Sequence, residues 1–172
     1  DWTPQHRANL SVSGGNNATT YLLSFGQVYQ DGQYSSGTEN IKQYNLRSNI
    51  DVQVTKYLKV GLNLAGRIDD DHFPYNSANQ INSHIFLYQP NWQPYWPGTK
   101  DLQPLRGSEN IINWVSDNAG YQTQKINTFQ STGYINWEVP WVKGLSIECI
   151  FICDPNGTFV KTFGKPDYVY YQ

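Results

Sequence analysis

The sequence predicts an all-β fold, an antiparallel up-and-down meander of about six long strands with one long loop that carries short helices. Three observations lead there. Aromatic residues make up 15% of the 172-residue chain (13 Tyr, 7 Phe and 6 Trp), with no Met, and such a chain, rich also in Thr, Ser, Asn and Gln, favours strands and loops over helices. From Tyr44 to Asp69 apolar and polar side chains alternate strictly, the period of a strand that shows its two faces different surroundings. The links between strand-like segments alternate between tight and long, as in a meander whose alternate turns fall at the same end of the sheet.

Taken in order, the segments with period-two alternation and bracketing turn residues are about 7–15, 19–30, 41–54, 58–69, 124–139 and 144–153. Each exceeds the common globular strand of about five or six residues. Asn16-Asn17-Ala18, Thr55-Lys56-Tyr57 and Pro140-Trp141-Val142-Lys143 read as tight turns, Asp31 to Asn40 as a medium loop, and 70–123 as a very long one. In the central hairpin an odd loop sets Val54 opposite Leu58, Val52 opposite Val60 and Ile50 opposite Leu62; Gln53 then meets Lys59, Asn49 meets Asn63, and Asp51 lies diagonally within reach of Lys59. Within the long loop, Ile81, Ile85 and Tyr88 stand at helical spacing behind Asn76 or Ser77 as a cap, Pro90 ends that helix, and a second short helix is expected around Glu109 to Val115.

One face of the central hairpin carries Leu46, Ile50, Val52, Val54, Leu58, Val60, Leu62, Leu64 and Ile68, the other Asn45, Arg47, Asn49, Asp51, Gln53, Lys59, Asn63 and Arg67. Two architectures accommodate that division. In a soluble β-sandwich the apolar face packs on a second sheet and the polar face meets water. In a transmembrane barrel the apolar face meets lipid and the polar face a watered lumen. The barrel is favoured by strands long enough to cross a bilayer, which takes ~9 to 11 residues, and by Tyr21, Tyr44, Tyr57, Trp137 and Trp141 near strand ends, as in an interfacial girdle.

The formal net charge of −2 supplies no basic field for nucleic-acid phosphates, so nucleic acid is not an expected partner. The first residues, DWTPQHRANL, lack a signal-peptide pattern. Cys149 and Cys153 lie four apart in a strand, ~13 Å at the usual rise, too far for a disulfide. No catalytic constellation, cofactor motif or metal set stands out, and no enzyme activity is expected: His6, His72 and His84 are scattered, Asp69-Asp70-Asp71-His72 points its carboxylates in different directions, and Glu138 with Glu148 lacks the shaped site that glycosidase chemistry needs. The long loop holds Tyr88, Trp92, Tyr95 and Trp96 among prolines. Such rings either stack on sugar faces as a substrate-binding surface or pack on one another to shape the loop.

Three stretches, NLSVSGGNNATTYLLSFGQVYQDG, KQYNLRSNIDVQVTKYLKVGLNLAGRID and STGYINWEVPWVKGLSIECIF, closely resemble successive barrel segments of the SusC/RagA family of TonB-linked outer-membrane transporters. The resemblance spans nearly the whole chain in order. It implies part of a 22-stranded barrel in the cell outer membrane, from the first half of the barrel domain and without the plug. It also implies energised uptake of a large nutrient, an oligosaccharide or in some members a peptide, with TonB and a SusD-like surface lipoprotein as partners. On that reading the apolar set from Leu46 to Leu64 faces lipid and the polar set from Asn45 to Arg67 faces the lumen. The competing expectation is a soluble carbohydrate-binding β-sandwich module using the same loop aromatics.

Overall fold

The structure is a computed structural model and describes residues 2–34, 36–105, 109–166 and 169–170. One antiparallel sheet dominates it: β1 (Gln5–Gly15), β2 (Thr19–Asp31), β3 (Asn40–Thr55), β4 (Leu58–Pro74), β5 (Gly120–Glu138), β6 (Ser146–Cys153) and β7 (Asn156–Gly164). The order is β1-β2-β3-β4-β5-β6, with β7 also on β5. The expected meander is therefore present, with neighbours in chain order. No second sheet covers the apolar face among the described residues, so this chain does not itself form the two packed sheets of a sandwich: Leu46 is 53% exposed and Phe151 65%.

The last two strands are physically one. β6 pairs Ser146 with Glu138 through Cys153 with Ser131, and β7 continues in the same register from Asn156 opposite Thr128 to Gly164 opposite Gly120. The ladder is interrupted at Asp154-Pro155 because proline has no N–H to donate. Pro155 still accepts from Phe129 N at 3.0 Å, and the Asp154 carboxylate accepts from Ser131 N at 3.1 Å. The sixth strand, expected over 144–153, thus runs on to Gly164. Asp154-Pro155 reads locally as a stop, and pairing with β5 on both sides of it overrides that signal.

Other boundaries move for similar reasons. β4 extends to Pro74 and β5 starts at Gly120, so the long connection is 75–119 rather than 70–123; the acidic run at Asp69–Asp71 continues the strand because it has β3 and β5 on either side. The β3–β4 turn is also corrected. Thr55, not Val54, opposes Leu58, and Val54 forms a bulge. Neither Lys56 nor Tyr57 has positive φ, so this is not the primed two-residue turn that matches strand twist, and the extra residue absorbs the difference. Beyond the bulge the expected pairs hold: Val52 with Val60, Ile50 with Leu62, Gln53 with Lys59, and Asn49 with Asn63.

The tight turns share one end of the sheet. Gln53 N donates to Ala18 O at 2.6 Å, and Glu138 N to Tyr57 O at 2.8 Å, which ties all three turns together. At the other end the connection 32–39, the long loop and the segment after β7 pack together. Ser36 and Thr38 hydroxyls donate to Val115 O, Lys165 N donates to Ala119 O at 2.9 Å, and the Trp96 indole donates to Tyr170 O at 2.7 Å.

That loop assembly holds most of the buried core. α1 (Ala78–Leu87) begins at Ser77, whose hydroxyl and backbone exchange hydrogen bonds with Gln80 in a capping box. This satisfies two donors that a helix start leaves open. Ile81 is fully buried, whereas Ile85 and Phe86 are 51% and 88% exposed. α2 (Ile111–Trp114) starts at Asn110, which is also fully buried.

Candidate ligand surfaces

Pairing register sorts the whole sheet into two faces, because directly opposed residues of an antiparallel pair share a side. Following the partners outward from β3, the face of Leu46 and Ile50 also holds Leu10 and Val12 of β1, Leu23 and Phe25 of β2, Leu62 and Leu64 of β4, Phe129 and Ile135 of β5, and Ile147 and Phe151 of β6. On β4 this apolar run spans Leu58 to Ile68. Tyr21, Tyr44 and Trp137 stand on the same face, and Trp137 meets Trp141 edge-on at 5.6 Å in the turn. Beyond Tyr44 and Ile68 the next row of pairs is Tyr29, Lys42, Asp70 and Lys125, so charge closes the apolar stretch at the loop end.

The opposite face groups Asn45, Arg47, Asn49, Asp51, Gln53, Lys59, Asn63 and Arg67 as expected from alternation, and adds Asn9, Ser11, Ser24, Thr128 and Gln130 from the neighbouring strands. A trough of about 520 Å³ lies on this side, floored by Gly26 and Ala65 and edged by amides and hydroxyls. Its charges are Arg47, Arg67 and Asp69. Arg67 Nε donates to both Asp69 oxygens, at 3.0 and 2.8 Å, and Asp69 is 8% exposed. The pair satisfies a carboxylate that would be costly to bury alone. Gly26 leaves room for Asn9, whose Oδ1 would stand 2.8 Å from a Cβ there.

Nearer the tight turns Tyr134 lies across Gly61, its cross-strand partner, and its hydroxyl donates to Asp51. Lys59 Nζ stands 3.7 Å from Asp51 and 5.7 Å from the Tyr134 ring centre. Asp51 therefore meets Lys59 diagonally as the pairing pattern predicts, and Tyr134 joins them. The tyrosine carries no signal in the sequence, since only the register brings it over a glycine 73 positions earlier in the chain.

At the loop end of the polar face Asp71 has a buried Oδ1 with no hydrogen-bond partner. Burial, then the charges of Asp69 and Asp70, push its carboxyl above the usual range, with Arg67 opposing. The Asp69-Asp70-Asp71-His72 run is no cluster: Asp70 and His72 are on the apolar-face side while Asp69 and Asp71 are on the polar side. His72 stacks on Tyr121 at 5.5 Å and reaches Asp117 at 3.3 Å. Among the described residues no group of three His, Cys, Asp or Glu side chains is placed to hold a metal ion.

The loop aromatics separate. Tyr88 and Trp92 pack ring to ring at 5.9 Å, and His84 lies 4.3 Å from Trp114. Trp96 is tied to Tyr170. Tyr95 alone of the four lines a hollow of about 500 Å³, with Leu102, Ile112 and Asn113. The trough residues outside the central hairpin were missed by sequence reasoning; the signal was the run of small polar residues at alternate positions of β1, β2 and β5.

No family model matches the chain. It is 39% identical over 166 residues to TonB-dependent receptor P3 of Formosa agariphila strain DSM 15362, an alignment covering 91% of this chain and 16% of that protein. Its fold matches a chain in the structure of the RagAB peptide importer in the "closed-closed" state with a TM-score of 0.71 and 20% identity, over 98% of this chain and 19% of the other. The chain thus spans about a sixth of the curated relative's length. With sequence likeness across most of its residues and the same strand architecture, the chain belongs to the TonB-dependent receptor family.

Proposed function

We propose that the chain forms a section of the wall of an outer-membrane transporter that imports a large nutrient, an oligosaccharide, in an energised cycle with TonB and a SusD-like surface lipoprotein. The observation that carries this reading is the sorting of side chains by register over the whole sheet. An apolar face about as tall as a hydrocarbon core, since ~9 to 11 tilted residues suffice, backs onto a face of amides, hydroxyls and charges of both signs. In this reading Leu46, Ile50, Val52, Val54, Leu58, Val60, Leu62 and Leu64 face outer-membrane lipid, and Asn45, Arg47, Asn49, Asp51, Gln53, Lys59, Asn63 and Arg67 face the lumen.

Support for a sugar comes from the trough, where planar amides and hydroxyls match the donors and acceptors of saccharide hydroxyls. Tyr95, at the loop hollow, is the ring best placed to stack on a sugar, while Tyr88, Trp92 and Trp96 shape the loop. A peptide is the second reading, favoured by the likeness to a peptide importer. Cells carrying the parent gene, or lacking it or TonB, are supplied with fluorescent oligosaccharides and peptides of equal size. The proposal expects saccharide accumulation that requires both genes. Uptake independent of TonB would overturn the transport cycle, and peptide-only uptake the substrate class.

A further inference from the structure

Among the described residues, Arg47 is the one guanidinium of the trough without a carboxylate. It is exposed at mid-strand, between Ser24 of β2 and Ala65 of β4. The two carboxylates that flank this level of the polar face are both engaged: Asp69 holds Arg67, and Asp51 holds Tyr134 and Lys59. Two guanidiniums and one carboxylate leave the trough with an excess of one positive charge. Around it stand donors suited to anionic oxygens, the amides of Asn9, Asn45 and Gln130 and the hydroxyls of Ser11 and Ser24. Gly26, with no side chain, makes room for the Asn9 amide, and Ala65 puts only a methyl between Arg47 and Gln130.

We infer that this trough is a subsite for an anionic group of the transported molecule, a carboxylate or sulfate bound by Arg47 in the planar two-point geometry that guanidinium favours. The fixed Arg67–Asp69 pair forms the neutral side of the site, and the amides and hydroxyls bind the neutral part of the same ligand. The inference rests on the lumen reading of the polar face and narrows the nutrient to an acidic one.

The test uses the complete parent transporter in isolated outer membranes. Modification of Arg47 by phenylglyoxal is followed by peptide mass spectrometry, alone and with sodium sulfate, an oligogalacturonate hexamer, a glutamate-rich hexapeptide or neutral maltohexaose. Arg47 should react in buffer, faster than the Asp69-held Arg67. Sulfate and one acidic oligomer should slow it, and maltohexaose should not. The oligomer that protects at the lower concentration identifies the source of the anion, saccharide or peptide. Arg47→Gln should weaken binding of the protecting oligomer roughly tenfold, the scale of one charge-assisted pair, with Arg47→Lys intermediate. Equal reaction rates with every anion, or an Arg47 that never reacts because another part of the protein covers it, would overturn the subsite. The lumen reading is scored separately by water-soluble maleimide on Asn49→Cys, in a background with Cys149 and Cys153 replaced by Ser, so failure of one is distinguishable from failure of the other.

Discussion

Asn49 and Ile50 are neighbours in β3 that meet different surroundings. Asn49 opposes Asn63 on the face of the trough, and Ile50 opposes Leu62 within the apolar band. With the parent barrel folded into bilayers, Ile50→Arg or Leu62→Arg should cost about 2 to 4 kcal/mol near the midplane, while Asn49→Arg should be mild. Folding titrations in lipid check this, and equal costs on both faces would refute the orientation. Asp71 gives a test of sign. It lies beyond the apolar stretch of β4, and its folded-state carboxyl is raised by burial and by Asp69 and Asp70. A raised acid favours folding when protonated, so its contribution is fully present below the unfolded value of about 4 and is lost as pH rises through the folded one. Asp71→Asn should therefore protect this end of β4 against hydrogen exchange at neutral pH, with the advantage fading in acid. A loss of protection at neutral pH would contradict it. Arg47, Arg67, Asn49 and Asn63 were legible in sequence because alternation alone assigns a face. The Asp69–Arg67 pairing was not, because which of three consecutive carboxylates points inward depends on a register continuing past them.

The elements divide in the same way. β3 and β4 announce themselves through alternation, and their register followed from matching apolar sides except at the Val54 bulge, where twist outweighs pattern. β7 was invisible because Asp154-Pro155 carries a local turn signal that β5 overrides by pairing on both sides of it. In the long loop the helix starts were readable from Ser77 and from the segment near Glu109, since caps are local chemistry. The packing of Trp96 was not, as its partner Tyr170 is 74 residues away. Asn110 is the keystone of that loop. Its amide donates to Pro94 O at 2.8 Å and Gln103 O at 2.9 Å, and its oxygen accepts from Ile112 N at 2.9 Å. Asn110→Ala removes the cap and both part-buried amide bonds, although Pro94 O keeps the Gln103 N–H at 3.1 Å; each bond lost is worth roughly 0.5 to 1.5 kcal/mol. Limited proteolysis should then cut within 90–115 at rates at least tenfold higher while the sheet retains its melting behaviour. An unchanged cleavage rate would show that the loop is held by other contacts. Gly61→Val should act at the opposite end, displacing Tyr134 from over the glycine and breaking its bond to Asp51, which keeps Lys59; a change in tyrosine fluorescence as Tyr134 becomes exposed to water would check it.

Across the whole molecule the apolar face is continuous, but it does not stay level. On β1 it is centred on Leu10 and Val12, whereas on the last strand it reaches Phe159, which shares a row with Lys125, and Phe163, which shares one with Tyr121. Rows of directly paired residues run obliquely to a membrane plane when strands tilt by ~35–45° as barrel closure requires, so a band that climbs from strand to strand is expected of a barrel wall. A flat, water-exposed sheet has no reason for it. The same geometry determines how the 172-residue chain behaves by itself. Among the described residues its sheet is open, with one side of β1 and of β6 and β7 left without a strand neighbour, and closed outer-membrane barrels need about eight strands or more. In lipid those backbone groups would lack partners. In water the edges would template further pairing, and a face with Leu10 at 68%, Phe151 at 65% and Phe159 at 65% exposure would seek cover. Expressed alone, the chain should therefore aggregate or require detergent, with β-rich circular dichroism and no cooperative melting transition in plain buffer. Size-exclusion chromatography with light scattering decides the matter. A monodisperse monomer that melts cooperatively would mean that the apolar face is covered by protein rather than lipid, and would move the chain's role from barrel wall to soluble module.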